Sequence, residues 1–274
     1  MSAKTSKNIL FSLSIYVFLI NAALLNTSFA GISYEQSQRA AKYAKDQYRN
    51  SPNYYLAAKG IRNLLSKLAI APPKGAKVLD FGCGPGTLSS FYYDLGYQVT
   101  GVDISEAMIE KGKKQFPLID FQLIPNGPLP FKDGEFDAVF TSFVFLEVSD
   151  SGKIIQILKD LKRVIKKNAP LVVVTTSENV YRYKKYNFVA SKTNFPENDM
   201  LVSGAKVKLQ LKSLDFAFED YFWSDVDYRS FFQKAGFNKT TLDDTLGSEE
   251  DEINLQIKWL SEKEVSPISV YLVQ

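Results

Sequence analysis

From Lys77 onward the chain alternates short apolar runs with amphipathic helical stretches, and that alternation leaves few folds open. The apolar runs cover residues 78–81, 98–102, 120–123, 138–142 and 171–175, each of strand length. Helical periodicity falls between them, near 86–95, 106–115 and 151–167. In the last of these, Ile154, Ile155, Leu158, Leu161 and Ile165 form one stripe, and Asp150 or Ser151 can cap its start. Strands separated by helices predict a parallel sheet covered on both faces, because parallel neighbours need a crossover connection. Ligands of such sheets sit beyond the carboxyl ends of the strands, where the strand order reverses.

The flanking segments are less regular. Residues 34–50 lack Gly and Pro and predict a helix with a tyrosine-bearing face; after Pro52, residues 53–69 predict a second, with Leu56, Ile61, Leu64, Leu65 and Leu68 at helical spacing. Pro72, Pro73 and Gly75 mark the turn into the alternating region. Residues 178–204 are polar and aromatic without a clear period and predict a long loop or insertion. Residues 206–212 alternate strictly, as a half-exposed strand does. Ser224 to Asp227 suits a capping box for a helix ending at Ala235, with Gly236 as its stop, and closing strands are expected near 238–246 and 267–273.

Before all of this lies a segment with the character of a targeting signal. Met1 to Lys7 is short and cationic, residues 9–25 are apolar and uncharged, and Ser28 and Ala30 supply a small-x-small site. A cleaved export signal, placing the protein in the periplasm or outside the cell, is the expectation; an uncleaved membrane anchor is the alternative. The division expected is therefore 1–30 as signal or anchor, 31–70 as a helical cap, and 71–274 as the main domain with an insertion near 178–223. Two of the three units of net positive charge come from Lys4 and Lys7, so nothing points to a nucleic-acid partner. Histidine is absent and Cys83 is the single cysteine. Those counts exclude Ser-His-Asp and Cys-His catalysis, an intrachain disulfide and cysteine-built zinc sites, and no metal is expected.

The segment that carries chemistry is Val78-Leu79-Asp80-Phe81-Gly82-Cys83-Gly84-Pro85-Gly86-Thr87. An apolar strand ends in a carboxylate and runs into a glycine turn that opens a helix. Glycine lets the backbone bend sharply and approach a ligand closely, and the helix start offers free N–H groups. The spacing is G-x-G-x-G, with Thr87 where a dinucleotide fingerprint needs glycine, and no Gly-Lys-Ser/Thr follows as a P-loop requires. The next strand ends at Asp103-Ile104-Ser105, where a carboxylate can accept both hydroxyls of a ribose. Asp103 can equally cap the helix over 105–115, and the two roles are compatible.

With these residues the chain resembles the class I S-adenosylmethionine-dependent methyltransferases over roughly residues 40–240, most specifically where residues 78–86 join Asp103-Ile104-Ser105. The resemblance implies an α/β, doubly wound, mostly parallel seven-stranded sheet of order 3-2-1-4-5-7-6 with the last strand antiparallel. It implies S-adenosyl-L-methionine as cofactor, with Gly82, Gly84 and Gly86 packed around its methionine and ribose portions. Asp80 would lie near the methionine amino group, Asp103 at the ribose hydroxyls and Ile104 against the adenine; Ser142 joins this cofactor-binding set. Two positions depart from the family pattern. Asn126, in Ile124-Pro125-Asn126-Gly127-Pro128, stands where many relatives carry an acid for the adenine amino group. Glu147, in Leu146-Glu147-Val148, stands where small-molecule enzymes often carry histidine. Glu147 is thus the candidate catalytic base, or else an exposed helix-start residue.

A sulfonium methyl is already electrophilic, so such an enzyme chiefly orients a nucleophile and excludes water, and needs no sharp catalytic residue. The aromatic residues Tyr43, Tyr48, Tyr54 and Tyr55, with Tyr181, Tyr183, Tyr186, Phe188, Tyr221, Phe222 and Trp223, are expected either to cap a planar or apolar acceptor or to fill the core. A small-molecule methyl acceptor is therefore expected. A protein methyltransferase, a binding protein without catalysis and an NAD-dependent dehydrogenase are the competing readings, the last disfavoured by Thr87.

Overall fold

The computed structural model describes residues 50–68, 71–182, 185–190, 195–212 and 216–274. The expected helix over 34–50 and the targeting segment lie outside the described residues, Asn50 excepted. Among the described residues no helix is long and apolar enough to cross a membrane.

A helix, α1 (Pro52–Lys67), precedes β1 (Lys77–Phe81), α2 (Thr87–Asp94), β2 (Gln98–Asp103), α3 (Glu106–Gln115), β3 (Asp120–Leu123) and β4 (Ala138–Ser142). There follow α4 (Ser151–Val164), β5 (Leu171–Thr176), the one-turn α5 (Asn179–Arg182), and three further strands, β6 (Val189–Ala190), β7 (Lys206–Leu211) and β8 (Phe216–Tyr221). The chain closes with α6 (Asp225–Lys234), β9 (Thr240–Asp244), α7 (Glu249–Leu255) and β10 (Ile268–Val273).

Seven strands form one sheet in the order β3-β2-β1-β4-β5-β10-β9, with β10 antiparallel to both its neighbours and the other pairings parallel. With β9 and β10 counted sixth and seventh, that is the 3-2-1-4-5-7-6 order expected. Strand periodicity divides the core. Val78 and Val270 face one side, where α1, α2 and α3 bring Leu56, Ile61, Phe91 and Ile109. Leu79 and Tyr271 face the other, where α4 and α6 bring Ile154, Leu158, Tyr228 and Phe232. The Asp150 side chain accepts from the Gly152 and Lys153 amides at the start of α4, and Ser224 with Asp227 forms the capping box of α6.

The 178–223 region differs from its expected form. It holds α5, a 3₁₀ turn (Pro196–Asp199) and a second, antiparallel sheet of order β6-β7-β8. β6 has only two residues, too few to display a period. In β8 the inward positions are Phe218 and Asp220 and the outward ones Ala217 and Glu219, so a buried acid hides the alternation. A second capping box, Ser248 with Asp251, opens α7, which hydropathy does not reveal because its face is largely acidic.

Candidate functional site

β1 is buried through Val78, Leu79 and Asp80, and the chain then turns through three glycines with positive φ, Gly82 (70°), Gly84 (53°) and Gly86 (85°). The turn is stitched to β2. The amides of Gly82 and Cys83 both donate to the Val102 carbonyl (2.8 and 2.9 Å), and the Gly84 amide donates to Asp103 Oδ2 at 2.9 Å. The two carboxylate-tipped strands thus hold the bend between them.

Asp80 is buried, and the Ser89 hydroxyl on α2 donates to its Oδ2 at 2.5 Å. Burial pushes its carboxyl up to about 7; the Ser89 bond opposes this and the charge of Asp103 adds to it. Asp103 Oδ1 accepts the Ser105 amide at 2.8 Å, so its cap-like contact and its place at the strand tip coexist. Its carboxyl is also raised, by burial first, against the bonds from Ser105, Gly84 and Ile104 amides. Burial raises the Cys83 thiol well above its ordinary range, which leaves a neutral, weakly nucleophilic group in the turn.

These groups surround a cavity of about 310 Å³. Asp80, Gly82, Gly84, Asp103, Ile104, Asn126, Ser142 and Glu147 all lie on its wall. Gly86 does not line it. A Cβ on Gly86 would come within 2.5 Å of the Phe121 ring, so this glycine is required by packing of the turn against β3. A Cβ on Gly84, by contrast, would meet nothing within 4 Å. Ile104 is 54% exposed, an apolar side chain that leaves a face uncovered. Ser142 also lines the cavity, with its hydroxyl within reach of the buried Tyr92 phenol. A chamber with three carboxylates, an uncovered apolar wall, a side-chain-free bend and a serine hydroxyl fits an amphoteric adenosyl ligand.

Sequence reasoning missed Phe143, Met108 and Lys153 on the same wall. Phe143 has φ 60° without being glycine, and its amide donates to the Val174 carbonyl at 2.8 Å. Nothing in the residues around 143 signals that left-handed conformation. It aims the ring toward Tyr54, edge to face at 6.0 Å between centroids.

A second, smaller pocket of about 70 Å³ adjoins the first and shares Tyr54, Phe143 and Glu147 with it. The inner faces of β6, β7 and β8 roof it with Val189, Leu209, Leu211 and Phe218. Of the aromatic residues expected to form a cap, Tyr54 and Phe188 line this pocket. Tyr43, Tyr48 and Tyr183 lie outside the described residues. Tyr181 packs on Phe222 and Trp223 on Phe231 within the core, while Tyr55 donates to Asp251 on another face.

Comparison with known proteins agrees with this geometry. A methyltransferase-domain family model matches residues 78–168, from β1 through α4. The chain is 27% identical to N-demethylindolmycin N-methyltransferase of Streptomyces griseus over 73% of this chain and 86% of that one. It is 32% identical to demethylmenaquinone methyltransferase of Renibacterium salmoninarum over 59% of this chain and 72% of the relative. Among solved structures, an S-adenosylmethionine-dependent methyltransferase from Clostridium acetobutylicum superposes with a TM-score of 0.55 at 15% identity, covering 86% of this chain and 97% of that one.

Proposed function

We infer that this chain, which belongs to the class I S-adenosylmethionine-dependent methyltransferases, methylates a small organic acceptor held beneath its three-stranded sheet. The observation that carries this reading is the pair of adjoining chambers. A large one beside the glycine turn suits the cofactor, and a small apolar one opens onto it past Tyr54, Phe143 and Glu147. Relatives named for N-demethylindolmycin and demethylmenaquinone support a small acceptor. The roof over the second pocket argues against an extended peptide, which needs an open groove.

The cofactor, when bound, supplies an electrophilic methyl on a sulfonium. The chain's own residues then divide the remaining work. Asp80, at the buried end of the chamber, suits an ammonium. Asp103 keeps acceptor capacity beyond its amide bonds and suits a ribose diol. Ile104 offers an apolar face for a purine, and Asn126 an amide for its edge. Gly84 leaves room for close approach, and Ser142 supplies a hydroxyl on the chamber wall. Glu147, an exposed residue of the 3₁₀ turn Phe145–Glu147 that lines both chambers, would accept the proton that the acceptor releases. Tyr54 and Phe143 flank the opening and offer aromatic surface against which an acceptor can be oriented.

Calorimetry on the full chain tests the cofactor half of this reading. S-adenosylhomocysteine should bind with one-to-one stoichiometry and NAD should not; preferential binding of NAD would overturn it. For residues 1–30 we propose an export signal, supported by the cationic start, the apolar run and the small residues Ser28 and Ala30. Sequencing the mature protein should find a new N-terminus near Gly31, and an intact Met1 on cell-internal protein would refute it.

A further inference from the structure

The roof over the acceptor pocket contains one buried carboxylate on an otherwise apolar face. On the inner faces of β7 and β8 the neighbours are Val207, Leu209, Leu211 and Phe218, all buried and apolar. Asp220, paired across the ladder with Val207, shares that face at 5% exposure and lines the pocket. A buried carboxylate is costly unless it is hydrogen-bonded or paired, so a position on this face is a demanding one for an acid. Its charge is felt by two buried phenols: burial raises Tyr181 and Tyr228, and Asp220 raises both further.

The pocket's other features suit a cation. Among the described residues, the charged groups on its wall are Glu147 and Asp220, both acidic. Four rings, Tyr54, Phe143, Phe188 and Phe218, line it, and an aromatic face attracts an ammonium once water is excluded. An ionised carboxylate has about four acceptor positions, so Asp220 can keep bonds to the protein and still receive a ligand N–H.

Position then separates two roles. Glu147 belongs to the wall that both chambers share, whereas Asp220 lines the acceptor pocket alone. A protonated amine has no lone pair and cannot itself take a methyl group. An ammonium at Asp220 therefore anchors the acceptor, and the atom to be methylated lies elsewhere on it, toward Glu147. We propose that Asp220 is a specificity-determining residue that selects acceptors bearing a protonated amine remote from the methylated atom. This rests on the methyltransferase reading above and adds the chemical class of the acceptor.

The test uses the full chain saturated with S-adenosylhomocysteine and three probes of nearly equal shape: tyramine, tyrosol and 3-(4-hydroxyphenyl)propionate. Wild type should bind tyramine at least tenfold more tightly than tyrosol, and the propionate more weakly still. Asp220→Asn should bring tyramine and tyrosol within twofold of each other while leaving S-adenosylhomocysteine affinity within twofold of wild type. Should Asp220→Asn fail to fold, the ranking of the three probes on wild type decides. Equal binding of amine and alcohol, preference for the acid, binding of none of the three, or an amine preference that survives Asp220→Asn would overturn the assignment. A wild-type chain that does not bind S-adenosylhomocysteine would instead strike at the methyltransferase reading, so the two failures are distinguishable.

Discussion

At the scale of single residues, Asp80 and Asp103 share a cavity but differ in how they are held. Asp103 is fixed by the backbone amides of Gly84, Ile104 and Ser105 and meets the chamber at a strand tip. Removing it takes away a charged acceptor for two hydroxyls. Asp103→Ala should weaken S-adenosylhomocysteine binding by about 1.5–3 kcal/mol, read by calorimetry. Unchanged affinity would mean that the ribose is held elsewhere. Asp80 rests on one serine bond in a dry setting, and its carboxyl titrates near 7. A ligand ammonium binds the ionised form, so affinity should be full above pH 7 and fall as the pH drops through that value. Asp80→Asn should flatten the profile at the weaker level. The same raised pKa acts on folding with the opposite pH sense. Its stabilising share is full below the unfolded value, near 3.8, and is lost as the pH rises through 7. A binding profile that does not change between pH 6 and 8 would remove Asp80 from the ammonium site.

At the scale of elements, the glycine turn separates into parts that bind and a part that packs. A Cβ on Gly86, on Gly101 of β2 or on Gly112 of α3 would crowd the Phe121 ring, at 2.5, 2.8 and 3.2 Å. One phenylalanine on β3 thus fits against glycines from three elements. Gly86→Ala should cost about 2–4 kcal/mol of stability, from left-handed strain and overpacking together. Its S-adenosylhomocysteine affinity, measured below the melting transition, should change less than threefold. Gly84→Ala should do the reverse: only the strain of a left-handed alanine, about 1 kcal/mol, but at least a tenfold loss of affinity because the methyl enters the chamber. Identical phenotypes would show that both glycines serve one purpose. The turn also shows why some features were legible in the chain and others were not. That Asp80, Gly82, Gly84 and Asp103 gather at one strand-to-helix turn was legible because strand period and turn chemistry act within a few residues of each other. The roles expected of them came from the family resemblance. The role of Gly86 was not legible, since Phe121 lies on another strand. β8 was hidden because its inward Asp220 breaks the apolar alternation that marks a strand, and Phe143 because a left-handed phenylalanine leaves no local trace.

At the scale of the whole molecule, the acceptor pocket is assembled from parts far apart in the chain, and its integrity depends on how α1 is anchored. α1 carries Asn53 and Tyr54 to the pocket from its first turn and packs its other turns on β9 and β10. The point of closest approach is Gly60, where a Cβ would lie 2.1 Å from Thr245 Oγ1 and 2.7 Å from Val270 Cγ2. Gly60 therefore sets the distance between helix and sheet although it is not part of either chamber. Gly60→Val should push α1 outward, with a stability loss of about 1–3 kcal/mol from overpacking. Because Tyr54 moves with the helix, the opening between the chambers should widen. Asp80, Asp103 and the glycine turn, supported by β1, β2 and α2, should stay in place. The expected signature is a split: S-adenosylhomocysteine affinity held within about threefold, while tyramine affinity in the saturated complex falls at least tenfold. Equal loss of both ligands would mean that α1 supports the cofactor chamber as much as the acceptor pocket, and that the two are not separable bodies of the fold.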